Sequence, residues 1–314
     1  MNEEAVRFGT SNSLIGILAS VPEIVNQHAS TAVILLNAGI VHRVGAGRVY
    51  VKLARALAAA GFITLRFDFS GIGDSPARHD GLSFPKSAVA EAQDAMEFLF
   101  RNKGVRRFIL LGGCSGARIA FDTACCDDAR VIGALLINFP SMDEGDARQN
   151  ADSAQRSAFF YYRRFAVFNF RSWQRLLTGR ANYQQLMRTL WFGIKQTLAE
   201  DEEETSSLYQ EFRCALTRVV NRCVRVSFIC SEGDHRLDEL RAAGGKLLKK
   251  FCEECRLTVD VVKDSDHTFS SLADQKRLIQ IVLMRAHGIA PKLTQLPISD
   301  TTAAPSVFQH QYQS

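Results

Sequence analysis

One stretch of this chain places a nucleophile where chemistry needs it. In Ile109-Leu110-Leu111-Gly112-Gly113-Cys114-Ser115-Gly116-Ala117-Arg118-Ile119-Ala120 an apolar run passes through small residues into a helical one, and Gly112 and Gly116 bracket Cys114. That G-x-nucleophile-x-G frame describes a strained strand-to-helix turn whose flanking positions must be small, because neighbouring backbone passes close to them. A second frame sets Ser115 between Gly113 and Ala117. The approach Leu110-Leu111-Gly112 and the in-phase continuation Arg118-Ile119-Ala120 favour Cys114. Cysteine attacks as a thiolate, so Cys114 requires an imidazole and a helix N-terminus nearby to depress its pKa.

The elements that must hold such a turn can be read from periodicity. Strands are expected near Leu14 to Leu18, over Ala32 to Leu36, Phe62 to Phe67, Arg107 to Leu111, Val131 to Phe139, Val224 to Cys230 and Leu257 to Val262. Helices are expected over Tyr50 to Ala60, closed by Gly61, and over Lys86 to Arg101, Ala117 to Cys125 and Asp238 to Glu253. Strands alternating with helices of this length imply right-handed crossovers, a mostly parallel sheet with helices on both faces, and a site at the carboxyl ends of the strands. The expected fold class is therefore α/β. The stretch 141–222 breaks the alternation and reads as a helical lid insertion between core segments 1–140 and 223–290. Beyond Pro291 the Thr-, Ser- and Gln-rich end reads as a disordered tail over 291–314.

Composition narrows the function classes. The 314 residues are 46% hydrophobic and 23% charged, which fits a globular chain and excludes a fibrous or low-complexity one. A formal charge of +5, from 38 basic and 33 acidic residues, is too mild to imply nucleic-acid binding. The acidic start Met1-Asn2-Glu3-Glu4 is unlike a signal peptide, and no run approaches the ~18 apolar residues of a membrane span, so a cytoplasmic protein without an integral membrane segment is expected. There thiols stay reduced. Of eight cysteines only Cys252 and Cys255 form a CxxC, without a second pair to complete a zinc site, and no G-x-G-x-x-G follows the first strand as a dinucleotide site would require. No cofactor or metal is expected.

With these elements in place the chain resembles the α/β-hydrolase fold superfamily over roughly residues 10–140 and 224–290. Asp68-Phe69-Ser70-Gly71-Ile72-Gly73-Asp74-Ser75 is similar to the D-x-x-G-x-G-x-S stretch after the third core strand of that superfamily, and Asp266-His267-Thr268-Phe269 resembles its late histidine loop. More narrowly, Asn37-Ala38-Gly39, His42-Arg43-Val44-Gly45 and a cysteine elbow together resemble bacterial hydrolases associated with exosortase systems and biosynthetic clusters. The resemblance implies a nucleophile, acid, histidine order. It assigns Cys114 as nucleophile, Asp234 as the acid in the loop Ser231-Glu232-Gly233-Asp234, with Asp238 in reserve, and His267 as the base, with His235 as competitor. Asp234 would fix the imidazole tautomer. Oxyanion donors are expected at Ser115 N–H and at Gly39 or Ile40 N–H, although Asn37-Ala38 stands where most relatives carry His-Gly. Asp68 and Asp74 are expected to tie loops together and take no catalytic part.

A thiol exchanges readily with thioesters. Aromatics in 141–222 alternate with basic residues such as Arg163, Arg164 and Arg171, a pattern suited to an acyl chain on an anionic handle. The expected activity is a cysteine-dependent acyl hydrolase or thioesterase that passes through a covalent acyl-enzyme. Its substrate would be a small-molecule acyl ester or thioester, presented on an acyl carrier protein or coenzyme A. Transfer of the acyl group to an amine or alcohol, and a non-catalytic binding protein on the same fold, are the competing readings.

Overall fold

The structure, a computed structural model, describes residues 1–21, 30–140 and 201–290. One eight-stranded sheet organises them, in the order β1-β2-β4-β3-β5-β6-β7-β8. The strands are β1 (Asn2–Phe8), β2 (Leu14–Ser20), β3 (Thr31–Leu36), β4 (Ile63–Asp68), β5 (Arg107–Gly113), β6 (Val131–Ile137), β7 (Arg225–Ser231) and β8 (Leu257–Val262). From β4 to β8 the sheet is parallel, while β2 pairs antiparallel with both β1 and β4. Every residue of β3 and of β4 is buried, as expected of strands covered on both faces.

Helices α1 (Val49–Ala59), α2 (Phe84–Lys103), α3 (Ser115–Cys125), α4 (Asp201–Asn221), α5 (Arg236–Glu253) and α6 (Leu272–Ile289) cover the sheet. Two apolar clusters result. Leu53, Leu57, Leu278 and Val282 of α1 and α6 pack one face, and Met96, Ile119, Leu216 and Leu240 of α2, α3, α4 and α5 pack the other. Amphipathic helices of this length gain most of their stability from such burial.

Two elements lie outside the expected set. Strand β1 precedes the first expected one, and its acidic residues form ion pairs: Glu3 accepts from Arg55 at 2.6 Å and lies 3.5 Å from Arg66. Helix α6 closes the α1 face. The stretch expected as an insertion falls outside the described residues from 141 to 200. Its last part contains α4, whose Phe212, Leu216, Val219 and Val220 join the core cluster beside α3 and α5. The expected tail over 291–314 also lies outside the described residues. Among those described, no helix is long and apolar enough to cross a membrane.

Candidate active site

The turn between β5 and α3 has the conformation its sequence requires. Cys114 sits at φ 51° and ψ −125°, a left-handed position costly for a residue with a Cβ, whereas Ser115 is the first residue of α3. The Cys114 carbonyl accepts from Ala117 N–H at 2.9 Å, and its own N–H donates to Ile137 O of β6 at 2.9 Å, so both sides of the turn are pinned. The two glycines are steric necessities. A Cβ on Gly112 would lie 2.1 Å from Gly116 O, and one on Gly116 would lie 2.4 Å from both Leu36 O and Asn37 O. Helix α3 therefore runs against the end of β3 with no room for side chains.

The residues expected as acid and base follow β7 and β8. Asp234 follows β7, is buried, and its Oδ2 lies 2.5 Å from His267 Nδ1. With Nδ1 taken by Asp234, the imidazole and the Cys114 thiol line the same cavity, where they interact. Burial pushes the thiol up, but the His267 hydrogen bond, the nearby Arg236 charge and the Ser115 N–H together bring it below its ordinary value. His267 moves the opposite way, to about 9, because it is hydrogen-bonded first to Asp234 and then to Cys114. Asp234 is resisted by burial yet held below the usual carboxylate range, chiefly by His267. Both directions favour the ion pair of thiolate and imidazolium over the neutral pair.

The competitors sit elsewhere. His235 Nδ1 lies 3.2 Å from Asp234 Oδ1 and its Nε2 3.5 Å from Glu239, on the acid's far oxygen. Asp238, on the first turn of α5, lies 3.4 Å from Arg241.

The loop after β3 is clasped to the turn. Gly39 N–H donates to Ser115 Oγ at 2.5 Å, which engages one of the three expected oxyanion donors, and Val41 N–H closes a turn onto Ala38 O with Ile40 at its exposed tip. Asn37, in place of histidine, donates through Nδ2 to Val41 O at 2.7 Å and to Asp68 at 3.2 Å. Asp68 also accepts from Arg43 N–H at 2.6 Å and Asp74 N–H at 3.1 Å, and it pairs with the Arg43 guanidinium. It ties the two loops together. His42, Asp68 and Asp74 approach one another closely enough for a metal ion, but Arg43 already bridges both carboxylates, and a second cation would meet that charge. Cys252 packs against the core and Cys255 is exposed.

Two positioning side chains had no signal in the sequence. The buried Tyr50 hydroxyl accepts from Gly113 N–H at 2.8 Å and donates to Leu36 O at 2.9 Å. It is thus inserted between β3 and β5, where the loop after β3 and the β5–α3 turn diverge. Asn138, at φ 45° after β6, donates to His267 O at 2.8 Å and accepts from Ser231 N–H at 2.8 Å, fixing the histidine loop to β7. Tyr50 lies in an amphipathic pattern that shows only its ring, and Asn138 acts on a residue 129 positions away.

Comparison with known proteins places the fold. A family model described as the alpha/beta hydrolase family matches residues 33–281. No curated protein sequence matches the chain. An esterase of Pyrococcus furiosus is similar in structure, with a TM-score of 0.55 at 12% identity, covering 92% of this chain and 93% of its own. A dienelactone hydrolase from Anabaena variabilis gives 0.54 at 12% identity, with 92% and 98% covered. A lidless α/β serine hydrolase from Xanthomonas campestris gives 0.52 at 14% identity, with 91% and 95% covered. The chain belongs to the alpha/beta hydrolase family. As the family and the fold define it, the protein is a hydrolase.

Proposed function

We propose that the protein is a cysteine-dependent acyl hydrolase, with Cys114 as nucleophile, His267 as base and Asp234 as the residue that orients and stabilises the imidazolium. The observation that carries the reading is the convergence of a cysteine on a left-handed turn at a helix start with His267 in one cavity, the imidazole held from behind by Asp234 at 2.5 Å. The Cys114 thiolate attacks the acyl carbonyl carbon, forming a sulfur–carbon bond and an oxyanion. That oxyanion collapses as His267 gives its proton to the leaving group. Water then attacks the acyl-enzyme, His267 takes its proton, and the carboxylic acid departs with the sulfur restored. The His267 side chain is 41% exposed, so water reaches the base as hydrolysis requires. A thioester suits the site because attacking and leaving sulfurs are chemically alike. The carrier of the acyl group, an acyl carrier protein or coenzyme A, belongs to the same proposal, and the arginine-rich stretch that motivates it lies outside the described residues.

The test is turnover of matched esters and thioesters bearing the same acyl group. A thioester should be hydrolysed faster, and esters alone being cleaved would contradict the substrate class.

The oxyanion donors proposed are Ser115 N–H and Ile40 N–H, with Gly39 N–H held by the Ser115 hydroxyl. Ser115→Ala removes that acceptor but keeps the backbone donor. Its turnover is expected to stay within about threefold of wild type, as for loss of one surface-accessible hydrogen bond. A dead Ser115→Ala beside an active Cys114→Ala would transfer the nucleophile's role to serine.

A further inference from the structure

A cavity of about 340 Å³ opens at Cys114 and His267 and enters the face of the sheet covered by α1 and α6. Val49 and Leu53 of α1, Ile137 of β6, Phe269 and Leu278 wall it, all of them in the apolar cluster of that face. Three polar side chains also reach it, and each is engaged within the protein. The Tyr50 hydroxyl is held between Leu36 O and Gly113 N–H. The Asn138 amide is held by His267 O and Ser231, and Thr268 Oγ1 bonds Asp266 at 2.9 Å. Among the described lining residues, no side chain besides those of Cys114 and His267 is left to partner a polar occupant, and no other is charged. At the rim, Ile40 is 92% exposed and Val41 39%, so apolar surface continues outward.

We infer that this cavity is the acyl-chain site and that it takes an apolar chain of medium length. The inference rests on the proposed acyl chemistry at Cys114 and adds the class of acyl group to it. At roughly 30 Å³ per heavy atom, a figure close to the volume of a water molecule, the cavity holds about eleven atoms if completely filled. Incomplete filling brings this to about six to ten carbons, and longer chains must emerge past the rim.

A labelling experiment tests the site whatever reaction the enzyme performs. N-alkylmaleimides from methyl to dodecyl add the thiol across their double bond, with no acyl-enzyme and no hydrolysis, and the rate at Cys114 is read by peptide mass mapping. The expected result is a rate that rises by roughly threefold to fourfold per methylene up to about eight carbons, the increment for moving a methylene out of water, and then levels. Val49→Phe should erase most of that rise and Val49→Ala should extend it to longer chains. Both are read as long-to-short ratios within one protein, so a change in overall stability cancels. A flat profile in wild type, or ratios that both variants leave untouched, would overturn the acyl-chain site. Acyl thioesters of the same lengths form the second arm. A length-dependent maleimide profile with no acyl group ever captured would keep the cavity assignment and overturn the acyl hydrolase reading instead.

Discussion

His267→Ala is expected to lower thioester turnover by about two to four orders of magnitude, the range for loss of a positioned general base, while the protein remains folded. The argument begins with the thiol. Burial alone would raise the Cys114 pKa, and among the groups that reverse this the His267 hydrogen bond is the largest, ahead of the Arg236 charge. Removing the imidazole leaves burial less opposed, so the thiol titrates at higher pH and the thiolate fraction at neutral pH falls. Iodoacetamide alkylation of Cys114 against pH reads this directly. In wild type the rate should climb through an inflection below the ordinary thiol range, and in His267→Ala that inflection should move upward. Coincident profiles would remove His267 from the site.

The same residue makes a second, separable expectation about stability. The folded pKa of His267, about 9, stands above its ordinary value of 6.5. A raised pKa means that the folded protein holds the proton more tightly. The stabilisation is therefore fully present below 6.5 and is lost as pH rises through about 9. The melting-temperature difference between wild type and His267→Ala should shrink across that window. A difference that grew with pH would mean that the imidazole is neutral in the folded protein.

Gly112→Ala carries the largest expected effect on folding. Its Cβ would lie 2.1 Å from Gly116 O, 2.2 Å from Gly116 C and 2.6 Å from Ala117 N, all backbone atoms. Relief would require α3 to withdraw, yet Gly116 is itself pressed against the backbone of Leu36 and Asn37, so the helix holds its place between two strand ends. We expect a loss of more than about 4 kcal/mol, beyond what most point substitutions cause, seen as failure to recover folded protein. Gly288→Ala is the control. It lies in α6 with nothing within 4 Å of its added Cβ, and alanine there should be neutral or stabilising by up to about 1 kcal/mol. A Gly112→Ala protein that melts like wild type would mean that the turn is not the close-packed junction described.

Much of the candidate site was legible in the sequence because its residues stand at strand ends. Gly112, Cys114 and Gly116 announce the junction through local composition, and Asp234 and His267 each follow an apolar strand within a few residues. The Asp68 loop was legible for a similar reason, since a buried carboxylate among glycines needs backbone donors, and it receives those of Arg43 and Asp74. What escaped reading depends on distance. Tyr50 meets Gly113 across 63 positions, and its hydroxyl is indistinguishable in sequence from that of any tyrosine on an apolar helix face. Strand β1 escaped because Glu3 and Glu4 look unlike a strand until Arg55 and Arg66 are brought beside Glu3. Arg236 escaped as well. It is buried beside Asp234, at 3.6 Å, and its charge helps lower the Cys114 thiol, although its neighbour Asp234 was the residue the loop pattern marked. Engagement of Gly39 N–H by Ser115 belongs to the same class, because a hydroxyl's direction is set by the loop opposite it.

The central claim is that the sulfur of Cys114 carries the acyl group, and intact-protein mass spectrometry tests it most directly. Wild type and Cys114→Ala are mixed in parallel with a panel of acyl thioesters and activated esters, and their masses are followed from seconds to minutes. Wild type should gain the mass of one acyl group, which then decays as the acid appears, while Cys114→Ala should gain none. An equal acyl mass on both proteins, or product formed by Cys114→Ala at the wild-type rate, would contradict the account.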